Sequence, residues 1–289
     1  MAHKLEVECC NLVTSFLDGR MPEGLKWNDR RATISEMLCH DVCILTEANK
    51  RMIGELAKEM GDMEFVGAAS MIGKRWEDIT EKDYVGELVV VAFSKKRFGF
   101  VGIETRWLSE TPEVVGSKSW DNGRYPRVVV RVRLEDRWNS RMVSVFGTHY
   151  DDQGREARRQ SVEIETRFIK DTLVQWPDEI VVAGGDRNWY PDAGGEEDME
   201  RYAAAVAEVG VKYVRSAGAP HKGLETTWIG YEGDPFRAPR DEDGVPEARV
   251  YDALFSNAAR VLETSSVPVV MDNGLLASDH TLVRAALEL

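Results

Sequence analysis

Several apolar runs in this chain are broken by polar residues at the same kind of place. Asn11 closes the run from Leu5 to Cys10, Glu47 follows Ile44-Leu45-Thr46, and Glu87 opens the run that ends at Phe93. His149 ends another run. Asp186 and Asn188 follow Val181 to Gly185, Asp252 lies inside Tyr251 to Phe255, and Asp279-His280 precede the last apolar segment. Acidic residues are poor strand formers and costly to bury. Their recurrence at the ends of apolar runs implies strand ends that converge on one polar cleft. Carboxylates, carboxamides and imidazoles gathered in one place hold cations and move protons. Taken one at a time each residue has a plainer reading: Glu47 as a helix cap, Asp186 as a turn after two glycines, His280 as a satisfied histidine at a sheet edge. The ordered set carries the weight.

Cys39-His40 with Cys43 lacks a second ligand pair, and Cys43 sits in an apolar strand, so buried thiols are the better reading than a metal site. Trp107, Trp120, Trp189 and Trp228 are either core residues or stacking platforms for a base or sugar. Core packing is the stronger reading for each, and the stacking role gains weight for Trp120 and Trp189, which fall in loops beside the polar positions. Arg106, Arg124, Arg127, Arg155, Arg158 and Arg159 are candidate phosphate binders.

The elements that must place these groups are many short strands with a few helices between them. Strands are expected at Leu5–Cys10, Val42–Leu45, Gly86–Ser94, Phe98–Ile103, Tyr125–Leu134, Arg141–Thr148 and Glu179–Ala183. Further ones are expected at Thr226–Ile229, Val250–Phe255, Val267–Val270 and Leu282–Leu287. Helical spacing recurs after Trp27 (Ile34, Met37, Leu38), over Met52 to Met60, over Gly154 to Trp176, and from about Glu196 to Val209. Gly230 to Glu247, rich in Gly, Pro and charge, reads as a mobile surface loop. Strands spread along the whole length with helices between them favour two sheets packed face to face and flanked by helices over one parallel sheet.

The 289 residues suffice to bury a large core without disulfide or metal staples. Hydrophobic residues make up 43% and charged residues 30%, which excludes a disordered or fibrous chain. Lys and Arg number 37 against 50 Asp and Glu, a formal charge of −13. With no basic tract, this argues against long duplex DNA as partner and for a small phosphorylated metabolite, a nucleotide or a short single strand. No apolar run approaches a membrane span, and Met1-Ala2-His3-Lys4-Leu5-Glu6 lacks the apolar core of a signal peptide. Four cysteines in a chain of this size make a reducing cytoplasm the expected location. The oligomeric state is left open.

The ordered set resembles the endonuclease/exonuclease/phosphatase superfamily, whose members share the deoxyribonuclease-like fold. The resemblance rests on Asn11 at the end of the first strand, Val42-Cys43-Ile44-Leu45-Thr46-Glu47-Ala48, and Gly86-Glu87. It continues through Thr148-His149 with Asp151, Gly154 and Ala157-Arg158, then Gly185-Asp186-Arg187-Asn188, Asp252 and Ser278-Asp279-His280. The stretch from Trp107 to Arg127 is similar to a subgroup of bacterial and fungal members. Thr46, Gly147, Asp152 and Arg187 depart from the usual pattern, although no catalytic position is lost.

The resemblance implies a four-layer α/β/β/α sandwich over residues 1–289 as one domain and a metal-dependent phosphoesterase. Mg²⁺, with Mn²⁺ as a substitute, would be held by Glu47 with Asn11 and Asp279. Asp186 or His280 would serve as base, and Asn188 would hold a phosphate oxygen. Asp252 would fix the His280 ring. His149, held by Glu87, would donate to the phosphate or the leaving group, while Arg127 and Trp120 would contact substrate. A carboxylate partner for each histidine favours the charged imidazolium in both. Two further readings stay open: a nuclease or deadenylase-like exonuclease acting on single-stranded nucleic acid, and a binding protein that kept the fold without catalysis.

Overall fold

A computed structural model describes residues 3–38, 41–70, 73–80, 86–191, 194–231 and 247–289. Cys39, His40 and most of the Gly230 to Glu247 segment lie outside the described residues. In chain order the elements begin with β1 (Lys4–Asn11), α1 (Trp27–Met37), β2 (Val42–Ala48), α2 (Lys50–Glu59), β3 (Met63–Ala69), β4 (Lys74–Arg75) and β5 (Leu88–Ser94). Next come β6 (Phe98–Trp107), β7 (Val128–Asp136), β8 (Arg141–His149), α3 (Arg155–Gln175), β9 (Ile180–Asp186) and α4 (Gly195–Ala207). The chain finishes with β10 (Lys212–Tyr213), β11 (His221–Gly223), β12 (Asp252–Ser256), β13 (Arg260–Val270) and β14 (Leu276–Glu288).

These strands form two mixed sheets. One has eight strands in the order β11-β13-β14-β1-β2-β5-β3-β4, and the other six in the order β10-β12-β9-β8-β7-β6. The sequence explains the layering. Strands buried on both faces read as continuous apolar runs, as Leu88-Val89-Val90-Val91-Ala92-Phe93 does. Alternate residues of such a strand then serve two cores. Val89, Val91 and Phe93 join Ile44, Val130, Val145 and Val182 between the sheets. Leu88, Val90 and Ala92 pack with Ile34 of α1 and Met52, Ile53 and Leu56 of α2 on the outer face. A third cluster sets Val162, Phe168 and Ile169 of α3 and Tyr202 and Val206 of α4 against Phe146, Val181 and Ala183 of the six-stranded sheet. The result is the expected α/β/β/α sandwich.

Register aligns the polar strand ends. Parallel pairing of β1 with β2 sets Asn11 opposite Thr46, beside Glu47. Parallel pairing of β8 with β9 sets His149 opposite Asp186, and antiparallel pairing of β9 with β12 sets Asp252 opposite the same Asp186. Close approach needs small residues here. A Cβ on Gly184 would meet Ile44 at 2.8 Å and Leu254 at 2.7 Å. Gly147 faces Ile44 and Val89 across the same gap, so it serves packing between the sheets.

The short strands β4, β10 and β11 and the first part of β13 are not among the expected elements, and three further differences bear on the site. Met63–Ala69 forms β3 although its Gly and two Ala give a weak strand signal; it is held between β5 and β4. Asp279 and His280 lie within β14, which starts at Leu276 and is bridged to β13 past an irregularity between Pro268 and Val270. Thr226–Ile229 makes an isolated bridge between Trp228 and His280 instead of a strand. Its threonine hydroxyls bond the Trp228 and Arg249 backbone and so replace ladder bonds.

Candidate active site

The strand ends open into a cleft of about 960 Å³. Glu47, Glu87, Arg127, His149, Asp186, Asn188, Asp279 and His280 line it. Asn11 lies buried at its edge and joins two of the carboxylates: its Nδ2 donates to Glu47 Oε1 at 2.9 Å and to Asp186 Oδ2 at 3.0 Å. Its Oδ1 accepts from Val13 N, which fixes the carboxamide orientation.

Local backbone geometry supports the placement. Glu47 has φ +52° and Asn188 φ +49°, in the left-handed region that costs a non-glycine residue energy. Glu47 sits where the β2–β5 register shifts between Leu45 and Ala48, so the irregularity turns its carboxyl out of the ladder into the cleft. Arg30 of α1, fully buried, donates to the carbonyls of Leu12, Val13 and Ala277, tying together the ends of β1 and β14.

Electrostatics separates the two histidines. His280 Nδ1 donates to Asp252 Oδ2 at 2.6 Å. Burial disfavours the charged ring, but Asp252, Asp186 and Asp279 together hold its pKa well above the ordinary histidine value. His149 is the opposite case. Its Nδ1 lies 3.1 Å from Arg127 Nη1, and a guanidinium can only donate, so Nδ1 accepts and the proton resides on Nε2. Burial and the Arg127 charge lower its pKa well below the usual value. The expectation of a charged His149 held by Glu87 is therefore corrected: Glu87 Oε2 is 4.0 Å from Nδ1, and Arg127 is the ring's hydrogen-bond partner. Arg127 itself is anchored by Asp152 at 2.8 Å, which gives the unusual Asp152 a purpose. Asp151 instead accepts from the backbone N–H groups of Gly123, Gln153 and Gly154 and shapes the loop before α3.

The carboxylates are crowded. Burial first, then Glu87 and Asp279, push the Glu47 pKa up to about 8. Those of Glu87, Asp186 and Asp279 are also raised, chiefly by burial. Ligand atoms of Glu47, His149 and Asp186 lie within 4.8 Å of one another, as do those of Asp186, Asp252 and His280, and such groups are able to hold a metal ion. Asp279 Oδ1 is buried without a hydrogen-bond partner. Hard oxygen donors, mutual repulsion and an orphaned carboxylate oxygen are the features a divalent cation satisfies. Asp279 shares the cleft but belongs to neither three-residue group.

Of the proposed substrate contacts, Arg127 reaches the cleft and Trp120 does not: it is half-exposed and apart from the lining residues. Trp189 packs in the core against Tyr202 and Phe255, and Trp107 between the sheets. Trp228 is the tryptophan that lines the cleft, stacked on Tyr251 with centroids 5.6 Å apart. Among the candidate arginines, Arg124 also lines it, whereas Arg106 covers Phe168 and Arg158 covers Tyr190. Asn188 Nδ2 donates to the Tyr150 carbonyl while its Oδ1 accepts from Tyr190. Sequence reading passed over Tyr190, Arg20, Arg249, Tyr251 and Phe16 as cleft residues. Phe16 sits in a single 3-10 turn and the others on loops, whose paths no periodicity reveals.

No family model matches the chain. An uncharacterized protein R895 of Acanthamoeba polyphaga mimivirus is 25% identical over 276 residues, 84% of this chain and 38% of that protein. The chain thus spans well under half the length of this curated relative. The structure is similar to an endonuclease/exonuclease/phosphatase from Bacteroides vulgatus, with TM-score 0.80, 20% identity and 99% of each chain covered. It is also similar to a mannosyl-6-phosphatase from Bacteroides thetaiotaomicron, with TM-score 0.78, 19% identity, and 99% of this chain and 100% of that one covered. D. rerio TDP2 complexed with a single-strand DNA product gives TM-score 0.67 at 17% identity, with 99% of each chain covered. These likenesses show that the chain has the endonuclease/exonuclease/phosphatase fold.

Proposed function

We propose that this chain, built on the endonuclease/exonuclease/phosphatase fold, is a Mg²⁺-dependent phosphoesterase acting on a small phosphorylated metabolite or a nucleotide. The observation that carries the reading is the convergence of Asn11, Glu47, His149, Asp186, Asp252 and His280 on one cleft, with a donor set suited to a hard cation. Glu47, helped by Asn11 and the free oxygen of Asp279, would hold Mg²⁺ or Mn²⁺. When bound, the ion supplies Lewis-acid polarisation of the phosphate. The protein's own groups do the rest. Paired with Asp252, His280 is an imidazolium at neutral pH, which favours it as a charged donor to a phosphate oxygen and leaves Asp186 to orient and deprotonate the attacking water. Neutral His149 presents its Nε2–H, 3.7 Å from Asp186 Oδ2, to the phosphate or the leaving group. Asn188 presents its remaining amide proton to a phosphate oxygen.

The stacked Trp228–Tyr251 wall favours a second reading, single-strand exonuclease activity, because base–aromatic stacking tolerates any sequence. A panel of phosphate monoesters assayed beside labelled oligonucleotides separates the two. Phosphate release from monoesters with intact oligonucleotides supports the first reading, and the converse supports the second. Activity that persists in excess EDTA contradicts both.

A further inference from the structure

Directly beneath the cleft, between Asp186 and Asn188, stands a fully buried arginine, Arg187. Arg187 Nη2 donates to Glu165 Oε1 at 2.7 Å and Nε to Glu165 Oε2 at 3.3 Å, so the two side chains meet as a fork on a carboxylate with no solvent access. Nη1 donates to the Ala253 carbonyl, adjacent to Asp252. The Tyr150 and Tyr202 hydroxyls both donate to Glu165, and Tyr150 follows His149. Backbone bonds complete the lattice: Arg187 N donates to Tyr251 O, and Tyr150 N to Asp186 O. One ion pair therefore joins the ends of β8, β9 and β12, which carry His149, Asp186 and Asp252.

We infer that the Arg187–Glu165 pair is a positioning device: it sets the relative placement of these three groups without touching substrate. The inference rests on the function proposed above. A buried ion pair seldom stabilises a fold more than apolar residues of the same volume, so stability alone gives little reason for one here. Its directional bonds to strand-end atoms provide that reason, since reacting groups must be held to fractions of an ångström.

The test compares the parent with the double variant Arg187→Met/Glu165→Met, which keeps volume and removes charge together with its hydrogen bonds. The double variant leaves the Tyr150 and Tyr202 hydroxyls without their acceptor and is expected to melt at a lower temperature, so activity is read per folded molecule: kcat for Mg²⁺-supported ester hydrolysis falls tenfold or more and KM changes less than threefold. Mn²⁺ binding, measured by calorimetry without substrate, is expected to weaken at least fivefold because a displaced Asp186 no longer fixes Asn11, one of the groups that would hold the ion. A folded double variant with parental kcat and parental Mn²⁺ affinity overturns the inference. Should it not fold, Arg187→Lys carries the same comparison: the charge is kept and the fork is lost, so kcat falls with KM held, and parental kcat and Mn²⁺ affinity in that variant overturn the inference. A parent that hydrolyses no phosphate ester but binds Mn²⁺, with affinity lost in the variant, removes the proposed function and leaves the positioning role standing. A parent that does neither removes both.

Discussion

At the scale of single residues, two titrations govern the behaviour of the cleft. The Glu47 carboxyl ionises near pH 8 in the folded chain against an ordinary value of 4.5. Between those values the folded state binds more protons than the unfolded one, so the cation-free protein loses stability as pH rises through that window. Melting temperatures in EDTA should fall from pH 5 to pH 8, and saturating Mg²⁺ should flatten the fall. Cation binding below pH 8 must displace the proton. Calorimetry in buffers of different ionisation enthalpy should therefore show close to one proton released per ion at pH 7, with affinity rising up to about tenfold per pH unit. A pH-independent affinity would contradict this. The second titration belongs to His280. Asp252→Asn removes the charge that holds the imidazolium, so activity should drop about 10²- to 10⁴-fold and its high-pH limb should move to lower pH. An unchanged profile would show that Asp252 does not set the charge of His280. The opposite character of His149 was not legible in the chain: Arg127 is 22 residues away in sequence, and only pairing of β7 with β8 brings the two side chains together.

Elements explain why the site exists at all. Gly185 has φ +137°, and a Cβ there would collide with the Thr148 backbone across the β8–β9 pair. Gly185→Ala should cost about 2–4 kcal/mol by forcing these strands apart, and it should lower activity beyond the loss of folded protein, because His149 and Asp186 face each other across that pair. Urea unfolding with activity per folded molecule checks both parts; parental stability would refute the packing argument. On the other sheet, Arg30→Met leaves the buried carbonyls of Leu12, Val13 and Ala277 without their donor, so a loss of about 3–5 kcal/mol is expected. The long apolar strands were readable because burial on two faces demands continuous Val, Ile and Phe. Strand β3 was not readable, since its Gly and Ala signal neither period, and the start of β14 was obscured because Asp279 and His280 look like a loop until pairing with β13 is seen.

For the molecule as a whole, order along the chain carried more information than any single motif. Asn11, Glu47, His149, Asp186, Asp252 and His280 were chosen as interruptions of apolar runs, and two sheets packed face to face bring those interruptions to one end. Loops gave no such guidance: Trp120 and Trp189 were favoured over Trp228 on sequence proximity, and the fold places the first outside the cleft lining and the second in the core. Charge also acts at this scale. With −13 overall, Arg20, Arg124, Arg127 and Arg249 place positive charge along the cleft, and among the described residues no helix is long and apolar enough to cross a membrane. The account depends on these distant carboxylates sharing one cation. The most direct measurement is an anomalous difference map from crystals soaked in Mn²⁺. A peak within coordination distance of Glu47, in the space bounded by Asp186, His149 and Asp279, is the predicted result. A saturated crystal with Mn²⁺ bound only elsewhere, or nowhere, would contradict it.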